Sequence, residues 1–313
     1  MILKNFKKLL NLIIAENIFK YLTEKYKKHI KKFPNIVHPA FDVIGPHISL
    51  FGRFERNELK VLEERVFNKI DCSNSSCLDI GANIGNHSVF FANFFSSVDC
   101  FEPQPDTYYL LKYNTKKFKN IRTFNFGTSD VDERQYLYTP NPTNMGFSSL
   151  DGAGLETTNE KNMENNINNI KIKVELKNLD NFYKENKIKK ISFIKIDVEG
   201  HEYKSLTGLR NIINSDSPII ALEQFVGEFV QNNKTTQTID FLKQNHYNFF
   251  YEPVFFQRKK NKNKILRAIN KIIFYLQILF DKGGINSYSL EKIEKFNVMS
   301  YPMIVASKFD LNN

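Results

Sequence analysis

The chain contains no tryptophan and only three cysteines among its 313 residues. Cys72, Cys77 and Cys100 make no even disulfide set and have no metal-ligand spacing, so neither a disulfide scaffold nor a cysteine metal site is expected. Cys77 and Cys100 fall in apolar stretches that read as strands, which predicts buried thiols in a reducing cytoplasm. Long apolar runs are also lacking. The longest, Ile272 to Phe280, falls far short of the roughly 20 residues that a bilayer crossing needs. Near the start, lysines precede LLNLIIA, but Glu16 follows soon and no small-residue cleavage site is evident, so a cleaved signal is not expected. No internal repeat is evident.

What the chain does have is apolar mass and positive charge. A hydrophobic content of 42% with 29 phenylalanines can supply a sizeable core. The net charge of +10 suits nucleic acid, an anionic membrane or an acidic substrate. However, the Asn, Lys and Ile bias runs through the whole chain, which points to a compositional habit more than to a binding face.

Residues 77–105, CLDIGANIGNHSVFFANFFSSVDCFEPQP, carry the strongest local signal. A short apolar strand runs into a glycine turn, a helical stretch with Val89, Phe90, Ala92 and Phe94 follows, and a second strand ends on Glu102. Strand, glycine loop, helix, strand and acid form the layout of a nucleotide-type cofactor site on a doubly wound sheet. Gly81 and Gly85 let the backbone approach a ligand, and Glu102 can accept hydrogen bonds from both hydroxyls of a ribose. A dinucleotide site would place a third glycine where Asn86 stands. With Asp79 ahead of the first glycine, the loop suits a ribose joined to a cationic amino-acid tail better than a pyrophosphate. S-adenosylmethionine has those features, and an NAD-dependent enzyme is disfavoured.

Strand and helix patterns alternate through the rest of the chain: a helix over 56–69, a strand over 77–80, a helix over 86–95, a strand over 98–102, a helix over 105–116 and a strand over 121–126. They resume with a strand over 170–176, a helix over 178–185, a strand over 191–198, a helix over 201–213 and a strand over 219–223. Such alternation predicts a parallel sheet, with late strands near 247–256 and 301–308 closing it. Residues 127–165, rich in Asn, Thr, Gly and Ser, read as a long loop or lid. Residues 1–48 read as an N-terminal helical extension, with Leu3, Phe6, Leu10 and Ile13 on one face, ahead of a catalytic domain over 49–313.

A second motif, ISFIKIDVEGHEYKSLTGL at 191–209 with PIIALEQ at 218–224, joins LDIGANIGNHS and FEPQPDTYYLL. Together with NFGTSD (125–130), GFSSL (146–150) and VELKNLDNF (174–182), these segments closely resemble the FkbM family of S-adenosylmethionine-dependent methyltransferases, in the family's order from about Arg56 to Lys308. The resemblance implies a Rossmann-like class I methyltransferase fold, a mostly parallel seven-stranded sheet with helices on both faces. It also implies methyl transfer, usually to an oxygen, on a sugar, a glycan or a secondary metabolite.

On that reading the Gly81–Gly85 backbone bounds the methionine end of the cofactor. Asp79 stands near its ammonium, Asn83 binds its carboxylate or orients the loop, and Glu102 takes the ribose with Pro103 beside it. The resemblance further places Ser129 and Asp130 at the adenine amino group. Alternation in IKIDVE puts Lys195, Asp197 and Glu199 on one face of a buried strand, where three charges need partners or a ligand. Two readings stay open. Lys195 pairs with a carboxylate, or Asp197 or Glu199 orients or deprotonates the acceptor. His201 is either the base or a helix-capping residue, and Glu223 and Lys195 are candidates to bind the acceptor. Asp197, Glu199, His201 and Glu223 do not have the spacing of a recognised metal signature, so no required metal is expected.

Two alternatives have sequence tests. Intact Asp79, Gly81, Gly85 and Glu102 argue against a degenerate binding module. Amino-group and nucleic-acid methyltransferases usually carry an Asn/Asp-Pro-Pro-aromatic motif where this chain has Asp197-Val198-Glu199-Gly200, so no nucleic acid partner is expected. The segment 258–284, lysines running into an amphipathic pattern, has three readings: peripheral contact with the inner membrane surface, intramolecular packing, or a homo-oligomer contact.

Overall fold

The computed structural model describes scattered positions between 12 and 27, then 34–39, 44–139, 148, 150, 170–186, 188–229, 235–255 and 288–312. The segment 258–284 and most of the proposed helix over 2–32 lie outside the described residues.

Eleven strands are described: β1 (Ser76–Ile80), β2 (Ser97–Phe101), β3 (Ile121–Phe124), β4 (Gly127–Thr128), β5 (Glu133–Thr139), β6 (Ile170–Lys177), β7 (Ile191–Ile196), β8 (Ile219–Gln224), β9 (Phe249–Phe255), β10 (Tyr288–Lys292) and β11 (Tyr301–Ser307). Eight of them form one sheet in the order β10-β9-β11-β8-β7-β1-β2-β3. The run from β8 to β3 is parallel, and β11, β9 and β10 join it antiparallel. The seven strands expected become eight because β10 pairs along β9. Its sequence YSLEK buries Leu290 but exposes Glu291 and Lys292, so it carries almost no apolar pattern to read.

The central strands are buried on both faces, as a parallel sheet covered by helices requires. Every residue of β1 and β7 is buried. Side chains of period two feed two separate cores. Leu78, Ile80, Ile194 and Ile196 enter one, while Cys77, Phe193 and Ala221 enter the other with Phe67, Phe91 and Phe95. Phe67 packs against Phe95 and Phe193 with ring centroids 5.2 Å apart in each case, so the phenylalanine-rich stretch after the glycine loop is a core filler. The three cysteines are free thiols, two of them buried; burial pushes Cys77 and Cys100 well above the ordinary thiol range.

Two expected helices are shorter than their apolar patterns. The helix after the glycine loop spans Asn86–Phe91, and the one after β7 divides into Glu202–Thr207 and Arg210–Asp216. The division falls at Gly208, where an added Cβ would lie 2.0 Å from the Ser129 carbonyl oxygen. Within the expected 127–165 loop, β4 and β5 are strands, and they flank β6, the strand expected over 170–176, in a second sheet ordered β4-β6-β5 instead of the main parallel sheet. Leu137 of β5 packs with Val174 and Leu176 of β6 in a small core of its own, and the polar composition around β5 hides its alternation. The helix Ile44–Phe51 runs across residue 48, and Ile36 and Ile48 pack against Ile84 of the glycine loop.

Candidate active site

Strand order reverses between β1 and β7, and ligands of open α/β sheets bind beyond the carboxyl ends of the strands at such a switch point. A cavity of about 270 Å³ opens there. Its lining includes Gly81, Asn83, Glu102 and Pro103 on one side and Lys195, Asp197, Glu199, His201 and Glu223 on the other.

The glycine loop is built by necessity. Gly81 sits at φ 75°, and an added Cβ would lie 1.8 Å from the Asp197 carbonyl oxygen, so only glycine lets the tips of β1 and β7 meet. The Gly81 and Ala82 amides donate to the Phe101 carbonyl at 3.0 Å, fastening the loop to β2. Asn83, at φ 49°, turns its amide to Glu102 Oε2 at 3.0 Å, while the Gln104 amide donates to Oε1 at 2.9 Å. The carboxylate of Glu102 is therefore held rigidly at the edge of the cavity. Burial, opposed by these two amides, pushes it up to about 7. Thr107, also on the cavity wall, has a buried hydroxyl with no hydrogen-bond partner among the described residues. A carboxylate acceptor on the same cavity wall as a threonine hydroxyl fits the polar edge of a nucleoside.

Other expected residues stand elsewhere. Asp79 is fully buried behind the loop, where Ser88 Oγ donates to it at 2.6 Å and Lys195 Nζ lies 3.7 Å away. It faces the protein instead of the cavity, because β1 is covered on both faces. Gly85 serves packing: its Cβ would meet Leu111 at 2.9 Å. Ser129 is buried with its Oγ 3.1 Å from His201 Nε2, and it donates to Asp130 at 3.0 Å. The wall after β3 is formed by Gly127 and Thr128, one or two residues earlier than the positions expected for the adenine contact.

On the far side, β7 ends at Ile196, so its alternation does not extend to Glu199, which sits at φ 53° in a turn completed by Gly200 at φ 98°. Glu202 makes that turn. Fully buried, its Oε1 accepts from the Val198 amide at 3.2 Å and the Gly200 amide at 3.3 Å. Nothing in IKIDVEGHE distinguishes this role from a surface glutamate, and the sequence reading missed it. It also missed Glu55 and His87, paired at 3.0 Å on the cavity wall.

Lys195 is 5% exposed and lies 3.0 Å from Asp197 while donating to the Gly81 carbonyl at 3.1 Å. The ion pairing considered for Lys195 is thus present, and Asp197 faces the cavity as well. Burial acts against ionisation of Asp197, but the Lys195 ammonium and its hydrogen bond, with smaller contributions from other neighbours, together hold this carboxyl below the usual range. Burial and the charge of Asp197 push Glu223 strongly upward, and the two carboxyls share a hydrogen bond. Burial, with Asp197 and Glu202 adding to it, pushes Glu199 up to about 8. Groups displaced in opposite directions within one cleft are typical of sites that move protons. No group of three or more metal-ligating side chains is found among the described residues.

Glu58, Glu102, Glu199 and Glu202 are all pushed above the ordinary carboxyl value of 4.5, to between about 7 and about 8. The folded state holds protons that the unfolded chain releases, so stability falls as pH rises from about 4.5 through about 8. The melting temperature of the ligand-free protein is expected to drop by several degrees between pH 5 and pH 8. Scanning calorimetry across that interval checks it, and a constant or rising value contradicts the burial of these acids.

The mostly parallel sheet, with the glycine loop and Glu102 at its switch point, is a Rossmann-like fold of the class I methyltransferase type, whose cofactor is S-adenosylmethionine. The Methyltransferase FkbM domain profile matches residues 79–249, more than half of the chain. The chain belongs to the FkbM methyltransferase family. Among solved structures, methyltransferase FkbM from Methylobacillus flagellatus KT is similar at 17% identity, over 48% of this chain and 32% of that one, with a TM-score of 0.33. Precorrin-6y C5,15-methyltransferase from Geobacter metallireducens GS-15 is similar at 12% identity, over 83% and 92%, with a TM-score of 0.38. SMU.1697c from Streptococcus mutans, solved in complex with SAH, is similar at 10% identity, over 80% and 95%, with a TM-score of 0.36. No curated protein matches the chain. No helix among the described residues is long and apolar enough to cross a membrane.

Proposed function

We propose that the protein O-methylates a hydroxyl of a sugar, a glycan or a secondary metabolite. One observation carries this reading: a single cavity is lined by Glu102 and the Gly81–Asn83 loop and by Asp197 and Glu199, which leaves room for a nucleoside and an acceptor hydroxyl to meet. Bound S-adenosylmethionine supplies an electrophilic methyl group on a sulfonium, with a neutral thioether as leaving group. Glu102 holds the ribose, Asn83 and Gly81 bound the amino-acid end, and Thr107 offers a hydroxyl to the nucleoside. On the opposite wall Asp197, kept ionised by Lys195, accepts a hydrogen bond from the acceptor hydroxyl and aligns it. Glu199 takes the hydroxyl proton as the oxygen attacks. Alignment of this kind can be worth about 7–11 kcal/mol, and a positioned base contributes about 10²–10⁴-fold. His201 closes the wall with its Nε2 engaged by Ser129.

The acceptor is found by comparing surface glycans and small metabolites of wild-type and deletion cells by mass spectrometry. The expected result is a compound that lacks one methyl group in the deletion strain and gains a labelled methyl when extract, purified protein and methyl-labelled S-adenosylmethionine are combined. If label appears only on amines or nucleic acid, the oxygen reading is wrong.

A further inference from the structure

The burial of Asp79 leaves the amino-acid end of the cofactor without the counter-charge that the loop motif suggests. Two residues on the same cavity wall place a carboxylate and an imidazole side by side. Glu55 Oε2 and His87 Nε2 are 3.0 Å apart. The Glu55 side chain keeps 25% exposure and the His87 side chain 9%. Both are held in place. Asn86 Oδ1 accepts from the Phe54 amide at 3.1 Å, and its Nδ2 donates to the Phe54 carbonyl at 3.1 Å, so the turn bearing Glu55 is clasped to the helix bearing His87. That turn contains Gly52 at φ 78° and Glu55 itself at φ 51°, a backbone a glutamate rarely adopts without such support. The His87 ring stacks on Phe91 at 6.1 Å and 20°.

We propose that Glu55 and His87 form a clamp for the zwitterionic end of S-adenosylmethionine, with Glu55 taking the α-ammonium and His87 the α-carboxylate. The inference rests on the reading of this cavity as the cofactor site. Among the other cavity acids, Asp197 is engaged by Lys195 at 3.0 Å, Glu102 by two backbone amides and Glu223 by a hydrogen bond with Asp197, and Glu199 is the base of the proposed reaction. A glutamate paired with a histidine offers an acceptor and a donor side by side, which is the complement of an ammonium and a carboxylate on one carbon.

Two ligands separate the clamp from the rest of the site: S-adenosylhomocysteine, which carries the amino-acid end, and 5′-methylthioadenosine, which lacks it. Both are titrated into the wild-type protein, Glu55→Gln and His87→Gln by calorimetry. Wild type is expected to bind both, with S-adenosylhomocysteine the tighter. Each variant should weaken S-adenosylhomocysteine by about tenfold or more while leaving methylthioadenosine within twofold. The unchanged second ligand reports an intact fold. If Glu55→Gln does not fold, Glu55→Asp is titrated instead, and its shorter carboxylate must show the same split. Variants that bind S-adenosylhomocysteine as wild type does, or lose both ligands alike, overturn the clamp. A wild-type protein that binds neither ligand would instead refute the cofactor reading, a separate result.

Discussion

Glu199→Gln is expected to lower kcat by about 10²–10⁴-fold while leaving affinity for S-adenosylmethionine within a few fold. The substitution keeps size and backbone preference, which matters at φ 53°, and removes only the proton-accepting oxygen. The pH profile gives an independent sign. Glu199 must be ionised to take a proton, and burial with Asp197 and Glu202 pushes it up to about 8. In the wild-type enzyme kcat should therefore rise as pH increases towards about 8 and level off above it. That limb should vanish in the variant. Full activity in Glu199→Gln, with the limb unchanged, would move the base to another group, and His201→Ala is then the variant to measure.

Lys195→Met is expected to cost about 3–5 kcal/mol of folding stability, because removing one partner leaves buried charge uncompensated. Lys195 lies 3.0 Å from Asp197 and 3.7 Å from Asp79, itself 0% exposed. Methionine fills the stem but returns neither the charge nor the bond to the Gly81 carbonyl. Urea denaturation should show the loss, and adding Asp79→Asn should recover part of it, since the two sites are coupled. A cost below about 1 kcal/mol would mean that water or rearrangement already neutralises Asp79. The same variant should lower kcat, since Asp197 loses the ammonium that keeps it ionised.

The parts of this molecule legible in its sequence are those where one physical requirement dominates. Gly81 must be glycine because the β7 tip passes within contact distance, and Glu102 must be an acid facing two amides; both requirements leave a local motif. The parallel strands are legible because burial on both faces makes them apolar throughout. β5 and β10 are not, because each buries only one or two side chains per strand and offers the rest to solvent. Asp79 reads like a ligand contact in the linear motif. Only the covering by Ser88 and Lys195, brought in from a helix and another strand, shows that it faces inward. Glu55 and His87 lie 32 residues apart in the chain and meet only because Asn86 clasps Phe54, a contact with no periodic signature. Glu202 is similar: its value lies in two backbone amides that the sequence does not display.

The most direct test of the account is a calorimetric titration of S-adenosylmethionine into the wild-type protein and Glu102→Ala. The carboxylate accepts from the Asn83 and Gln104 amides and edges the cavity, and loss of one charged hydrogen-bond partner costs about 1.5–3 kcal/mol. Saturable binding to wild type is expected, weakened by about tenfold or more in the variant, with the far-ultraviolet dichroism of the fold unchanged. Equal affinities in the two proteins, or no heat with the wild type, would contradict it.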